Sequence, residues 1–224
     1  MLHLPFADRD EAGRILANHL AFHKLADEAV VLALPRGGVP VGFAIARQLQ
    51  LPLDVLVVRK LGVPWQPELA MGAIAEGVRV LDEQMIGELG ISGPEIDLVA
   101  EREQAEIRRR ESLYRHGKQA LDLAGRSVIL VDDGLATGST MSAAARSVAR
   151  LRPAGVTIAV PVGSREACTC LLREADELVC LARPEPFVAV GRWYRNFAQT
   201  SDAEVVHLLA KNRHDIQTLA CVDA

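Results

Sequence analysis

Val128-Ile129-Leu130-Val131-Asp132-Asp133-Gly134-Leu135-Ala136-Thr137-Gly138-Ser139-Thr140 is the stretch from which the fold and the chemistry of this chain both follow. Val128 to Val131 form a short, unbroken apolar run suited to a strand covered on both faces, and Ser139 to Arg150 has helical composition. The residues between them therefore join a strand end to a helix start, which is where α/β proteins place ligands. A helix N-terminus leaves backbone N–H groups unpaired and carries partial positive charge, while Gly134 and Gly138 let the backbone approach a ligand closely. Such a loop favours a phosphate, to which Thr137, Ser139 and Thr140 add hydroxyl donors. Asp132 and Asp133 would repel the same phosphate unless they served another part of the ligand. Vicinal hydroxyls or a hydrated cation would suit them. The alternative reading is a surface turn with a carboxylate pair and a Ser/Thr helix cap.

This segment resembles the signature of type I phosphoribosyltransferases, two acidic residues followed by a Thr-Gly loop, which bind 5-phosphoribosyl 1-diphosphate (PRPP). The resemblance implies that Asp132 and Asp133 hold the ribose 2′- and 3′-hydroxyls. It implies that the loop of Gly134, Leu135, Ala136, Thr137, Gly138, Ser139 and Thr140 holds the ligand, with the 5′-phosphate at Ala136 to Thr140. It also implies Mg²⁺ as cofactor, carried by PRPP and met by Asp132 and Asp133, directly or through water. The stretch is neither a Walker A loop, since no Gly-Lys-Ser/Thr occurs, nor a dinucleotide fingerprint, since no G-x-G-x-x-G opens a helix after the first strand.

The chain around it alternates strand and helix patterns. Strand-like runs cover Ala29 to Leu34, Leu53 to Val58, Ser127 to Val131, Thr157 to Val162 and Glu177 to Leu181. An opening helix is predicted from Asp8, its N-cap, to Leu25, and another from Val39 to Leu49; Ser92 with Glu95 and Ser201 with Glu204 form capping boxes. The fold class expected is α/β, a central, mostly parallel sheet flanked by helices. A single phosphoribosyltransferase-like domain over 1–224 is expected, with a small hood from about 1–25 and 183–224 and a charged helical insertion over about 92–118. Pro94 to Tyr114 is dense in charge and reads as a solvated helix, with a dimer contact or lid as the alternative.

Composition narrows the partners. The chain has 224 residues, 50% hydrophobic, enough for one good-sized α/β core. A net charge of −4 and a pI near 5.9 argue against broad neutralisation of nucleic-acid phosphates and favour a small-molecule ligand. No apolar run approaches a membrane span, and Met1 to Ala7 is too short and uncharged for a signal peptide, so a cytoplasmic protein is expected. Cys168, Cys170, Cys180 and Cys221 lack paired C-x-x-C spacing or a nearby histidine and read as reduced thiols rather than zinc ligands. The histidines are scattered and receive no role.

Three further motifs accompany the first, two before it in the chain and one after. Leu34-Pro35-Arg36-Gly37-Gly38-Val39-Pro40 ends a strand and begins a helix, so its amides form a second anion site with Arg36 adding a fork of donors. A tight turn with Arg36 exposed is the alternative. The resemblance assigns diphosphate to Arg36, Gly37 and Gly38, and implies a cis bond at Pro35–Arg36 or Arg36–Gly37. Arg59 and Lys60, after the second strand, are cations suited to a pyrophosphate leaving group. Val63 to Gly77 carries prolines and glycines and reads as the loop that in the family closes over PRPP, with Glu68 and Glu76 as acids able to protonate or orient a base. Pro186 to Gly191 resembles the family's hood segment. Phe187 is the candidate for stacking on a base, with core packing as the alternative, and Val188 beside it supplies the backbone that reads the base edge.

The resemblance has a limit at Ala136. Where 6-oxopurine enzymes carry an aspartate in the cradle, this chain has an alanine. The resemblance is nearest to phosphoribosyltransferases of undefined substrate that share Leu-Pro-Arg-Gly-Gly-Val-Pro and Val-Arg-Lys-Leu-Gly. The function it implies is transfer of the 5-phosphoribosyl group from PRPP to a nitrogenous base with release of pyrophosphate, in a homodimer. The alternative is a non-catalytic regulator of the same fold that senses PRPP or a nucleotide. A hydrolase using Asp132 as nucleophile is disfavoured because D-x-D spacing is absent.

Overall fold

The five runs read as buried strands lie side by side in one parallel sheet. In the computed structural model, which describes residues 3–21, 28–75 and 78–222, the first half comprises α1 (Arg9–Leu20), β1 (Ala29–Ala33), α2 (Gly38–Leu49) and β2 (Leu53–Val55). Then follow β3 (Arg59–Val63), β4 (Gln66–Ala75), β5 (Val78–Leu81), α3 (Glu83–Leu89) and α4 (Gly93–Arg115). The second half comprises β6 (Ser127–Val131), α5 (Ser139–Ala149), β7 (Gly155–Val162), α6 (Arg165–Leu171), β8 (Glu177–Ala182) and α7 (Asp202–Val222).

The sheet runs in the order β2-β1-β6-β7-β8, with every pairing parallel. Successive side chains on a strand point to opposite faces, and both faces here are apolar. Val31, Ala33, Ile129 and Val131 meet Leu16, Leu20, Val39 and Ile45 of α1 and α2 on one side. Val30, Leu32, Val128 and Leu130 meet Met141, Ala144, Val148 and Leu171 of α5 and α6 on the other. From β1 the chain goes outward to β2 on one side, whereas β6 lies against its other side. The direction of winding thus reverses between β1 and β6, and the crevice beyond their carboxyl ends is the switch point at which such sheets bind ligands.

Several local signals hold. Asp8 caps α1 by accepting the Glu11 N–H at 2.9 Å. The Ser92 N–H donates to Glu95 at 2.9 Å, and Ser201 Oγ accepts the Glu204 N–H at 3.1 Å. α1 ends at Leu20, and residues 22–25 of the helix expected to reach Leu25 lie outside the described residues.

Two expectations are corrected. The stretch from Val63 onward, read as a loop, is an antiparallel β-sheet in the order β3-β4-β5. Its glycines mark irregular, close strand contacts and not a loop. Pairing slips at Leu61–Gly62–Val63, and a side chain on Gly62 would come 2.4 Å from the Pro67 carbonyl oxygen. The charged helix α4 is solvated on one side only: Ile96, Val99, Ala100, Ile107 and Tyr114 are buried along the other. Its last residue, Arg115, is buried and donates to Asp54 at 3.0 Å and to the Val55 carbonyl at 2.8 Å. At the outer edge of β2, buried Asn212 of α7 accepts the Leu53 N–H at 2.8 Å and donates to the Leu51 carbonyl at 3.1 Å.

Candidate functional site

The carboxyl ends of β1 and β6 are stitched together by the Leu34 N–H donating to the Val131 carbonyl at 2.8 Å. Beyond that bond the two informative motifs touch. A side chain on Gly37 would lie 2.0 Å from Asp133 Oδ2, and one on Gly38 would lie 2.7 Å from the Val131 carbonyl oxygen and 2.9 Å from Asp132 Cα. Only glycine lets the segment after β1 pass this close to the acids. The Pro35–Arg36 peptide bond is cis, at one of the two bonds the resemblance indicated.

Asp132 and Asp133 are held differently. Asp132 Oδ1 accepts the Asp133 N–H at 2.8 Å. Burial, and then the neighbouring Asp133 carboxylate, push the Asp132 carboxyl well above the usual carboxylate range. Burial also raises Asp133, against the opposing pull of the Arg9 guanidinium. Arg9 donates to Asp133 Oδ2 through Nε at 2.9 Å, and its NH2 nitrogen stands 2.8 Å from the same oxygen. The Tyr194 hydroxyl donates to the Asp133 carbonyl at 2.6 Å. In the sequence Arg9 carries no functional signal, and Tyr194 stands out only as one of the aromatics gathered with Trp193 and Phe197 near the hood segment. Neither lies in a motif, and the only local signal at Arg9 is its place just after an N-cap.

The cradle has the predicted strand-to-helix form. Leu135 crosses to β7, its N–H donating to the Val162 carbonyl at 2.9 Å, and Ser164 Oγ donates to the Ala136 carbonyl at 2.7 Å. Gly138 precedes α5 at φ 77°, a left-handed conformation that glycine adopts without strain. Thr137 Oγ1 and Ser139 Oγ lie 3.2 Å apart at the mouth, Ala136 is exposed, and Thr140 is in the first turn of α5. Gly134 has no room for a side chain, which would meet Val190 at 2.6 Å.

Arg36, Arg59, Lys60 and Glu68, the described charged candidates outside the cradle, go to different surroundings. Arg36 is about one-third exposed and stands 4.0 Å from Asp202, which accepts the Tyr114 hydroxyl at 2.6 Å. Burial, followed by that hydrogen bond, pushes the Tyr114 hydroxyl up to about 12. Arg59 turns toward α4, where its Nε donates to the buried Glu103 at 2.8 Å. Lys60 instead lines a cleft of about 520 Å³ together with Ser139, Ser142 and Arg146 of α5. Glu68 is exposed on β4, and Glu76 lies outside the described residues. Phe187 packs against the cluster of Phe6, Ala12, Val162 and Tyr194, as its alternative reading expected, and it also lines a cleft of about 540 Å³ with Ser164, Arg165 and Glu185. Val188 is 68% exposed.

Among the described residues no three of His, Cys, Asp and Glu gather as a metal site, and Cys168, Cys170 and Cys180 are free thiols. A cation that brings most of its own oxygen ligands fits the Asp132–Asp133 pair; a fully protein-built cage does not.

A family model described as "Phosphoribosyl transferase domain" matches residues 9–190, which includes β1, β6, both acids and the cradle. The chain belongs to the phosphoribosyl transferase domain family. Over 222 residues it is 50% identical to a protein of Mycobacterium tuberculosis named "Putative phosphoribosyl transferase Rv0571c", covering 98% of this chain and 49% of that one. The chain thus spans about half the length of the curated relatives it matches. The crystal structure of the Thermus thermophilus protein TT1426 superposes with a TM-score of 0.82 at 41% identity, covering 92% of this chain and 98% of the other. A Neisseria gonorrhoeae protein crystallised with bound ppGpp shares the fold alone, with a TM-score of 0.50 at 14% identity. No helix among the described residues of this phosphoribosyl transferase domain is long and apolar enough to cross a membrane.

Proposed function

We propose that this domain transfers the 5-phosphoribosyl group of PRPP to a nitrogenous base and releases pyrophosphate. The observation that carries the proposal is the contact of Gly37 with Asp133, which joins an anion-binding turn and an acid pair at the switch point. In this reading the amides of Ala136 to Thr140 and the nearby hydroxyls take the 5′-phosphate. Asp132 and Asp133 accept the ribose hydroxyls. Arg36, Gly37 and Gly38 take the diphosphate. Lys60 adds a cation from the cleft it shares with Ser139, while Arg59 stands behind it with its charge matched by Glu103.

In the reaction a base nitrogen forms a bond to C1 of the ribose as the bond from C1 to the diphosphate oxygen breaks, and the electron pair leaves with pyrophosphate. The protein provides position and charge, with no covalent intermediate. Mg²⁺ carried by PRPP would offset diphosphate charge, held through ligand oxygens and water beside Asp132 and Asp133. The Phe187 cleft takes the base, and the exposed Val188, next in the chain, offers its backbone to the base edge. Tyr194 and Arg9 enclose the acids as a hood. Within the cell we place the protein in the cytoplasm, as a homodimer.

The test is pyrophosphate release in the presence of Mg²⁺ and PRPP across a panel of purine and pyrimidine bases. Release with one base, and a fall of at least about 100-fold in Asp133→Asn, is the expected outcome. PRPP binding without release for any base would assign the site to sensing.

A further inference from the structure

Asp133 is the point where the segment before α1 meets the segment between β8 and α7. The Phe6 N–H donates to the Trp193 carbonyl at 2.8 Å, the Arg195 N–H to the Phe6 carbonyl at 2.8 Å, and the Asn196 N–H to the Ala7 carbonyl at 2.9 Å. This short parallel pairing fixes the start of α1 against the segment after β8. Arg9 projects from it with all of its guanidinium nitrogens engaged: Nε and NH2 on Asp133 Oδ2, and NH1 on the Ala198 carbonyl at 2.7 Å. The guanidinium carbon lies 3.9 Å from the centre of the Phe197 ring, and the side chain is 11% exposed. A planar fork held at every nitrogen and backed by an aromatic face has a single orientation. Both of its contacts with Asp133 fall on one oxygen, Oδ2, so the carboxylate is anchored by one atom.

We propose that Arg9 is a positioning residue for donor binding, holding the Asp133 carboxylate by Oδ2 so that Oδ1 meets the ribose diol. The inference rests on the assignment of Asp133 to the ribose. It adds that this acid is competent only while the Phe6–Ala7 pairing with Trp193–Asn196 is docked. Recognition of the sugar is thereby assigned to a residue 124 positions away from the acid it serves. The phosphate cradle at Ala136 to Thr140, which Arg9 does not touch, is independent of it.

Calorimetric titration of wild type, Arg9→Met and Arg9→Lys with Mg²⁺-PRPP, ribose 5-phosphate and inorganic phosphate tests the inference. Arg9→Met is expected to weaken both ribose-bearing ligands by about 10- to 100-fold, the range for loss of a residue that orients a ligating group. Inorganic phosphate, read by the cradle and by the Arg36–Gly38 turn, neither of which supplies a partner to the Arg9 guanidinium, is expected to stay within about twofold. Arg9→Lys keeps one charge and loses the fork, so an intermediate loss of about 3- to 10-fold is expected. If Arg9→Met fails to fold by circular dichroism, Arg9→Lys and Phe197→Leu carry the same comparison. Unchanged affinity for ribose 5-phosphate in the folded variants overturns the proposal, as does a parallel loss of inorganic phosphate. Wild-type protein that binds phosphate but neither ribose ligand overturns the ribose assignment itself, a result distinct from either.

Discussion

Two pairs of like charges follow apolar strands in this chain, Asp132–Asp133 after β6 and Arg59–Lys60 after β2, and the fold treats them in opposite ways. Both acids are drawn into the switch point, one beside Gly38 and the other beside Gly37. The cations are parted, Arg59 turning to Glu103 and Lys60 to the cleft beside Ser139. The cause is backbone geometry. Arg59 and Lys60 are consecutive residues of a strand, and a strand sends consecutive side chains to opposite faces. Asp132 and Asp133 lie where the chain has left its strand, so alternation no longer separates them. Adjacent charges make a joint site only where regular structure has ended.

The largest expected effect comes from crowding the acid pair. In Gly37→Ala the new methyl group would occupy the place of Asp133 Oδ2, which Arg9 holds from the other side. Overpacking of this kind costs about 1–3 kcal/mol, and a misplaced binding group costs about 100-fold, so both melting temperature and Mg²⁺-PRPP affinity are expected to fall. Calorimetric binding equal to wild type would show that Asp133 is not fixed as described.

The cations give the next effect. Arg59→Met leaves Glu103, which is 6% exposed, with its contact to Arg102 among the described residues. Since Arg59 itself is one-third exposed, a loss of about 1–2 kcal/mol in urea denaturation is expected, less than for a fully buried pair. Lys60→Met should stay within about 0.5 kcal/mol. Equal losses in the two variants would erase the distinction between inward and outward cation.

The smallest effect separates the two acids by pH. The folded protein raises the Asp132 carboxyl through burial and the nearby Asp133, so it holds that proton more tightly than the unfolded chain does. The stability this group contributes is therefore complete below the unfolded value of about 3.9 and is lost as pH rises through the folded value. Asp132→Asn removes that loss while its amide oxygen can still accept the Asp133 N–H. Thermal melts should show the variant more stable than wild type by about 1 kcal/mol at pH 8, with the gap closing toward pH 4. A gap independent of pH would refute the assignment of the raised carboxyl to Asp132.

What was legible in the sequence is what local pattern controls. Runs such as Val128 to Val131 and Thr157 to Val162 are apolar on both faces because helices cover both sides of the sheet, so their strand assignment needed no knowledge of partners. The cradle was legible for the same reason, since a strand end, two glycines and three hydroxyls within nine residues carry their chemistry with them. The β3–β5 sheet was not. Gly62 and Gly72 punctuate it as they would a loop, and only the approach of Pro67 and Val80 explains them. Arg9 was illegible on other grounds, as its partner is remote in the chain and the charged run Asp8-Arg9-Asp10-Glu11 around it reads as an ordinary helix start. The pairing of Asp54 with Arg115, 61 positions apart, belongs to the same class.

Asn212 has a consequence beyond the bonds it makes. By occupying the Leu53 N–H and the Leu51 carbonyl it covers part of the margin of β2, the outermost strand on that side. Uncovered margins of this sort are templates on which a stray chain adds a strand and aggregation begins. One amide on the last helix acts as a stopper, so damage to α7 would be felt first as clumping of intact domains, before any change at the opposite end of the sheet where ligands enter.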